Sequence, residues 1–131
     1  MENIKNLVYI AVRSLFSLIL IVSGSTMLYL GGKSPVSYTV KAAQNFSDAF
    51  ENTGYFFYFI GIVMVIIGLL VILNKYVALA LVIFMPVSIN MVLFHLFLMP
   101  QSGIPAYFVL LMNAYLMFKN LDKYRPLLAV N

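Results

Sequence analysis

Apolar residues in this chain run in four long blocks, Leu7–Leu30, Tyr55–Leu73, Val77–Met99 and Ile104–Phe118, separated by short polar intervals. A helix rises about 1.5 Å per residue and the hydrocarbon core of a bilayer is about 30 Å thick, so roughly 20 apolar residues suffice to cross it. The first three blocks meet that length. The fourth is short and needs local thinning of the bilayer, or help from Leu121 beyond it. It counts as a span because an even number returns the charged tail to the side of the N-terminus. The pattern therefore predicts an all-α fold, a polytopic membrane four-helix bundle, forming a single domain over residues 1–131.

The longest polar interval, residues 33–54, has a period of its own. Ala42, Ala43, Phe46, Ala49 and Phe50 recur at helical spacing, and Lys41, Gln44, Asn45, Asp48 and Glu51 take the opposite face. This predicts a short interfacial amphipathic helix between spans one and two, ended by Gly54. It reads either as a connector or as a lid or docking surface. Span one has a rival reading as a secretory signal peptide, with LFSLILIV as apolar centre and SGS as cleavage site. With Met1 in the chain, we expect it to be retained as a span.

Composition sharpens the picture. Of 131 residues, 63% are hydrophobic and only 9% charged, against roughly a quarter charged in soluble domains. The absence of cysteine removes disulfides, thiol chemistry and cysteine metal ligands together. The net charge of +4 does not point to nucleic acid, because the basic residues do not cluster into a stripe that could follow a phosphate backbone. Lys5, Arg13, Lys75, Lys119, Lys123 and Arg125 fall on one side of the four spans, and Lys33 and Lys41, offset by Asp48 and Glu51, on the other. The positive-inside rule then predicts cytoplasmic termini. Tyr9, Tyr29, Tyr55, Tyr76 and Tyr107, near span ends, fit an aromatic belt.

Polar residues at membrane depth are the candidate site. Arg13 lies roughly 9 Å inside span one, and either snorkels back to the headgroups or binds an anionic ligand or a partner carboxylate. Asn90 and Asn113 lie at similar depths in spans three and four, so an Asn90–Asn113 hydrogen bond is expected between them. His95 lies roughly 6 Å from the end of span three, level with hydroxyls at Ser23, Ser25, Thr26 and Tyr107. It is either a structural partner of one of these or a donor to a ligand carbonyl, such as that of a quinone. Pro86 removes the backbone bond to Val82 and is expected to kink span three. Gly61 and Gly68 share one stripe of span two and mark a helix-packing face, within the bundle or against another subunit. Ser14, Ser17 and Ser88 are expected to bond to their own helix backbones. No catalytic constellation and no metal site are visible: one histidine without carboxylate or cysteine neighbours makes neither.

The stretch from Gly54 to Leu128 resembles the DoxX-like family of small bacterial four-helix membrane proteins. The similarity is carried by TGYFFYFIGIVMVIIGLLVILNKYVALALVIFMPVSINMVLFHLFLMP followed by GIPAYFVLLMNAYLMF, with Pro86, Asn90 and the LFHLFL around His95 as its most specific parts. Arg13 and FSLILIVSGS in span one fit more loosely. The resemblance implies a multi-pass protein of the bacterial cytoplasmic (inner) membrane, in a family associated with membrane redox systems and a quinone-linked oxidoreductase. Met27 and Met64 stand where such proteins often carry a lysine and an acidic residue. That shifts the expectation from redox catalyst to accessory or scaffolding subunit of a larger membrane complex. Its partners would be the lipid bilayer and a membrane protein or a second copy, with no intrinsic cofactor and no nucleic acid. The alternatives are a quinone- or lipid-binding redox component using His95, Asn90 and Arg13, and, behind it, a small-solute transporter or channel.

Overall fold

The computed structural model describes residues 1–130, and among them every regular element is helical. In chain order these are α1 (Glu2–Tyr29), α2 (Lys41–Asn52), α3 (Phe56–Ile72), α4 (Val77–Leu98), α5 (Ile104–Lys119) and α6 (Leu121–Tyr124), with single 3₁₀ turns at Pro100–Ser102 and Arg125–Leu128. Two of them, α1 and α4, are each long and apolar enough to cross a membrane. The count rises to four if two bent pairs each make one span: α2 with α3, which meet at 88°, and α5 with the segment Leu121–Leu128, which meet at 74°. The first bend lets α2 lie across the end of the helices while α3 runs along them.

The four long helices contact one another in the ring α1, α3, α4, α5 and back to α1, with α1–α3 the most extensive pair. Phe16 and Leu20 of α1, Met64, Ile67 and Val71 of α3, Leu81 and Phe84 of α4, and Val109 and Leu116 of α5 fill the space between them. The Phe16 and Phe84 rings meet edge to face at 5.8 Å, a favoured aromatic geometry. In α4 the buried positions are Val77, Ala80, Leu81, Phe84 and Ser88, an i, i+3, i+4, i+7 stripe. Outside that stripe the helix is as apolar as within it: Leu79, Ile83, Ile89 and Phe97 are exposed. Large exposed apolar faces of this extent are stable against lipid rather than water.

Close approach of α1 and α3 depends on residues without side chains. A Cβ built on Gly24 would stand 2.6 Å from the Gly61 carbonyl oxygen, and one on Gly68 would stand 2.9 Å from that of Ser17. As the α1 number falls from 24 to 17 the α3 number rises from 61 to 68, so the two helices run antiparallel. The packing face expected at Gly61 and Gly68 is thus occupied within the chain, by α1. Pro86 lies exposed on α4, which continues through it as one helix from Val77 to Leu98.

At the α2 end, Ala43 and Ser47 are the buried residues of α2, whereas Ala42 and Ala49 are exposed. The polar residues Gln44 and Glu51 are not simply solvated: they accept from the backbone N–H groups of Tyr38 (2.7 Å) and Ser34 (3.3 Å), holding the loop before α2. Phe46 joins Phe50 at 4.7 Å and Phe94 at 5.2 Å, and Phe50 stacks on Phe56 at 3.9 Å, so α2 is fixed to both α3 and α4 by aromatic contact. Burial raises the Tyr38 hydroxyl above its ordinary pKa, since the ionised form would lose hydration there. Gly54, at φ +79°, takes the left-handed conformation that lets the chain turn into α3.

Candidate functional site

The polar groups gather at three levels. At the end that holds both termini, Arg13 Nη1 donates to Asn74 Oδ1 at 2.6 Å, and its guanidinium lies 5.7 Å from the centre of the Tyr9 ring. Asn74 reaches this position because the chain, two residues past α3, takes a left-handed conformation there, φ +56°, which asparagine tolerates better than most residues. Asn120, buried just after α5, donates to the Tyr9 hydroxyl at 3.0 Å and to the Leu116 carbonyl at 2.8 Å. Tyr124 donates to the Ala78 carbonyl at 2.6 Å. Burial, and then the neighbouring Tyr9, hold its hydroxyl above the ordinary tyrosine pKa. The bent C-terminal segment is thereby tied to α1 and to the start of α4.

In the middle of the bundle, Asn113 is fully buried and its Nδ2 donates to Ser88 Oγ at 2.9 Å, while its Oδ1 is buried without a hydrogen-bond partner. The Asn90–Asn113 bond expected from depth is therefore replaced by Ser88–Asn113. The reason is angular. Two residues separate Ser88 from Asn90, a rotation of about 200°. With Ser88 turned to α5, Asn90 faces away from the bundle, and it is exposed. Its amide makes no hydrogen bond with any described residue. Ser17 donates to the Arg13 carbonyl at 2.8 Å, bonding to its own helix.

At the α2 end, His95 is half-buried, with Nδ1 3.2 Å from the Ser102 hydroxyl and its ring edge-on to Phe94 at 5.1 Å. None of the four expected hydroxyls serves it. Thr26 donates to the Val22 carbonyl and Tyr107 to that of Pro100. The 3₁₀ turn at Pro100–Ser102 folds the connection back over the end of α4 and delivers Ser102 instead. His95, Asn90 and Arg13 do not come together: Arg13 joins the terminal end, His95 the α2 end, and Asn90 the outer face of α4. Among the described residues, no group of three or more histidine, cysteine or acidic side chains is placed to hold a metal ion.

Met64 is buried and stands 3.0 Å from the position a Gly24 Cβ would take, and Met27 packs partly buried against the core. Both serve as apolar filling between α1 and α3. Asn74, Asn120, Ser102 and Tyr124 carry contacts that polarity at membrane depth could not flag, because all four lie in connections or beyond the spans.

Residues 14–72, from within α1 to the end of α3, match the model of a family described as a protein of unknown function (DUF3185). The matched stretch contains the whole glycine-mediated contact between those helices. No curated protein and no solved structure matches the chain.

Proposed function

We propose that this chain is a non-enzymatic, four-span protein of the bacterial cytoplasmic membrane that acts as an accessory subunit, packing α4 laterally against a transmembrane helix of another membrane protein. The observation that carries this reading is Asn90. Its amide is exposed on α4, about 12 Å from the Leu98 end of that helix. At that depth no water is present to satisfy it, and an unpaired polar group in hydrocarbon costs several kcal/mol. A neighbouring helix offering a donor or acceptor removes that cost, as interhelical amide bonds do in membranes. The excess of basic residues at the terminal end supports cytoplasmic termini. The resemblance of residues 54–128 to DoxX-like proteins, which include Pro86 and Asn90 in their pattern, supports a membrane-complex role.

The test is purification in mild detergent. The native chain should elute with a larger membrane protein, Asn90→Leu should elute without it, and His95→Ala should leave the complex intact. Co-elution that survives Asn90→Leu unchanged would refute the reading, and a species of twice the chain's mass would identify a second copy as the partner.

One observation favours a second reading, a lipid-soluble carbonyl ligand such as a quinone at the α2 end. Ser102 engages Nδ1 of His95, and Nε2 makes no hydrogen bond with any described residue. Stoichiometric quinone in lipid extracts, lost in His95→Ala, would establish that reading. Quinone at background level in both proteins would eliminate it.

A further inference from the structure

Between α1, the α3–α4 connection and the turn from α5 into α6 lies an open polar cavity of about 420 Å³. Its lining brings together Lys5, Arg13, Lys119 and Lys123 against a single carboxylate, Asp122. These residues come from both ends of the sequence, so the convergence is made by the fold and not by a local run of charge. Among the described residues, no lysine or arginine stands within 4.0 Å of a carboxylate. The fork of Arg13 is only part-used. Asn74 takes Nη1, and neither Nη2 nor the buried Nε donates to any described residue. Arginine forks of this kind match the oxygens of phosphate groups.

Ile4 (64% exposed) and Phe118 (71%), the chain neighbours of Lys5 and Lys119, are exposed about 100° round their helices from those lysines. A basic hollow at a span end, with exposed apolar residues on the same helical turns, suits a molecule with a charged head and apolar tails. We propose that this cavity binds the phosphate ester of an anionic lipid, with Arg13 at its inner wall and Lys5, Lys119 and Lys123 at its rim. The site requires the terminal end to lie at a membrane surface, where basic pockets between spans receive anionic headgroups. It does not require the lateral partner of α4, and its test does not involve Asn90.

The experiment is native mass spectrometry of the purified full chain, titrated with phosphatidylglycerol, with phosphatidylcholine, or with inorganic phosphate. One phosphatidylglycerol should be retained in preference to phosphatidylcholine. Removing the three exposed lysines (Lys5→Gln, Lys119→Gln, Lys123→Gln) should weaken it by roughly fivefold for each charge lost. Lys33→Gln with Lys41→Gln, at the other end, should leave binding unchanged and controls for charge alone. Arg13→Lys, which keeps the charge but loses the fork, should weaken it as well. Saturable binding of inorganic phosphate, lost in the triple variant, with neither lipid retained, would keep the phosphate site and assign its ligand to a soluble ester. Equal retention of both lipids, or binding that survives the triple variant, would overturn the proposal.

Discussion

Replacing Gly24 by alanine tests the α1–α3 contact on which the bundle is built. The added Cβ would meet the Gly61 carbonyl oxygen at 2.6 Å, Val65 Cγ2 at 2.9 Å and Met64 Cβ at 3.0 Å. The first of these is backbone and cannot rotate away. Restoring an ordinary contact of 3.4 Å requires the helices to part by about 0.8 Å, a gap that forfeits roughly a quarter to a half of each dispersion contact along the seam. Overpacking of this kind costs about 1–3 kcal/mol, and a backbone clash belongs at the upper end. Alanine returns about 1 kcal/mol through its better helix propensity. The net expectation is a loss of about 2 kcal/mol. Gly68→Ala, 2.9 Å from the Ser17 oxygen and 2.7 Å from Ile21 Cγ1, should lose about 1 kcal/mol. Gly61→Ala, 3.0 Å from the Gly24 oxygen and otherwise no nearer than 3.3 Å to the mobile end of Leu28, should fall near zero. Helix propensity is common to all three, so the ranking isolates the contacts. Reversible unfolding by sodium dodecyl sulfate in mixed micelles, followed by circular dichroism, measures it, with the exposed Val22→Ala as reference. A Gly24→Ala protein as stable as the native chain, or stabilised by the propensity gain, would refute the close approach.

Two further outcomes follow from polar groups. Ser88→Ala leaves the buried Asn113 amide with no partner at all, whereas Asn113→Leu leaves Ser88 free to bond its own helix, so the serine change should cost more, about 1–2 kcal/mol. Equal costs in the same unfolding assay would contradict the assigned bond. Tyr124, whose folded pKa is raised above its unfolded value near 10, contributes stability that is complete below pH 10 and is lost as pH rises through the folded pKa. Tyr124→Phe should be about 1 kcal/mol less stable at pH 8 through loss of the bond to Ala78, and the difference should narrow above pH 10. A difference that stays constant with pH would contradict the buried hydroxyl.

Helix content and the rough limits of the apolar segments were readable from the run of hydrophobic residues, because length and hydropathy need no knowledge of neighbours. Direction was not. The helices α3 and α4 are apolar all round, so no polar face tells which side of α4 turns inward, and depth alone points the Asn90 amide into the bundle although its stripe, two residues from Ser88, faces out. The partner of His95 was hidden because Ser102 arrives by a 3₁₀ turn, which adjacency in depth does not foresee. The cavity at the terminal end is not legible in the sequence for a related reason: Lys5 and Arg13 are separated from Lys119 and Lys123 by more than a hundred residues, and only the bends after α3 and α5 bring them to one hollow. The glycines of α3 signalled a packing face. That Gly24 answers Gly61 could be learned only from the antiparallel register of the two helices.

Photo-crosslinking in native membranes puts the lateral role to its most direct test. A photoreactive residue placed at position 90 lies on the exposed face of α4, and one at Leu111, also exposed, lies at nearly the same depth on α5. A discrete protein adduct is expected from position 90 and lipid adducts alone from position 111. Lipid adducts alone from both positions would contradict it, because Asn90 would then face hydrocarbon without a partner.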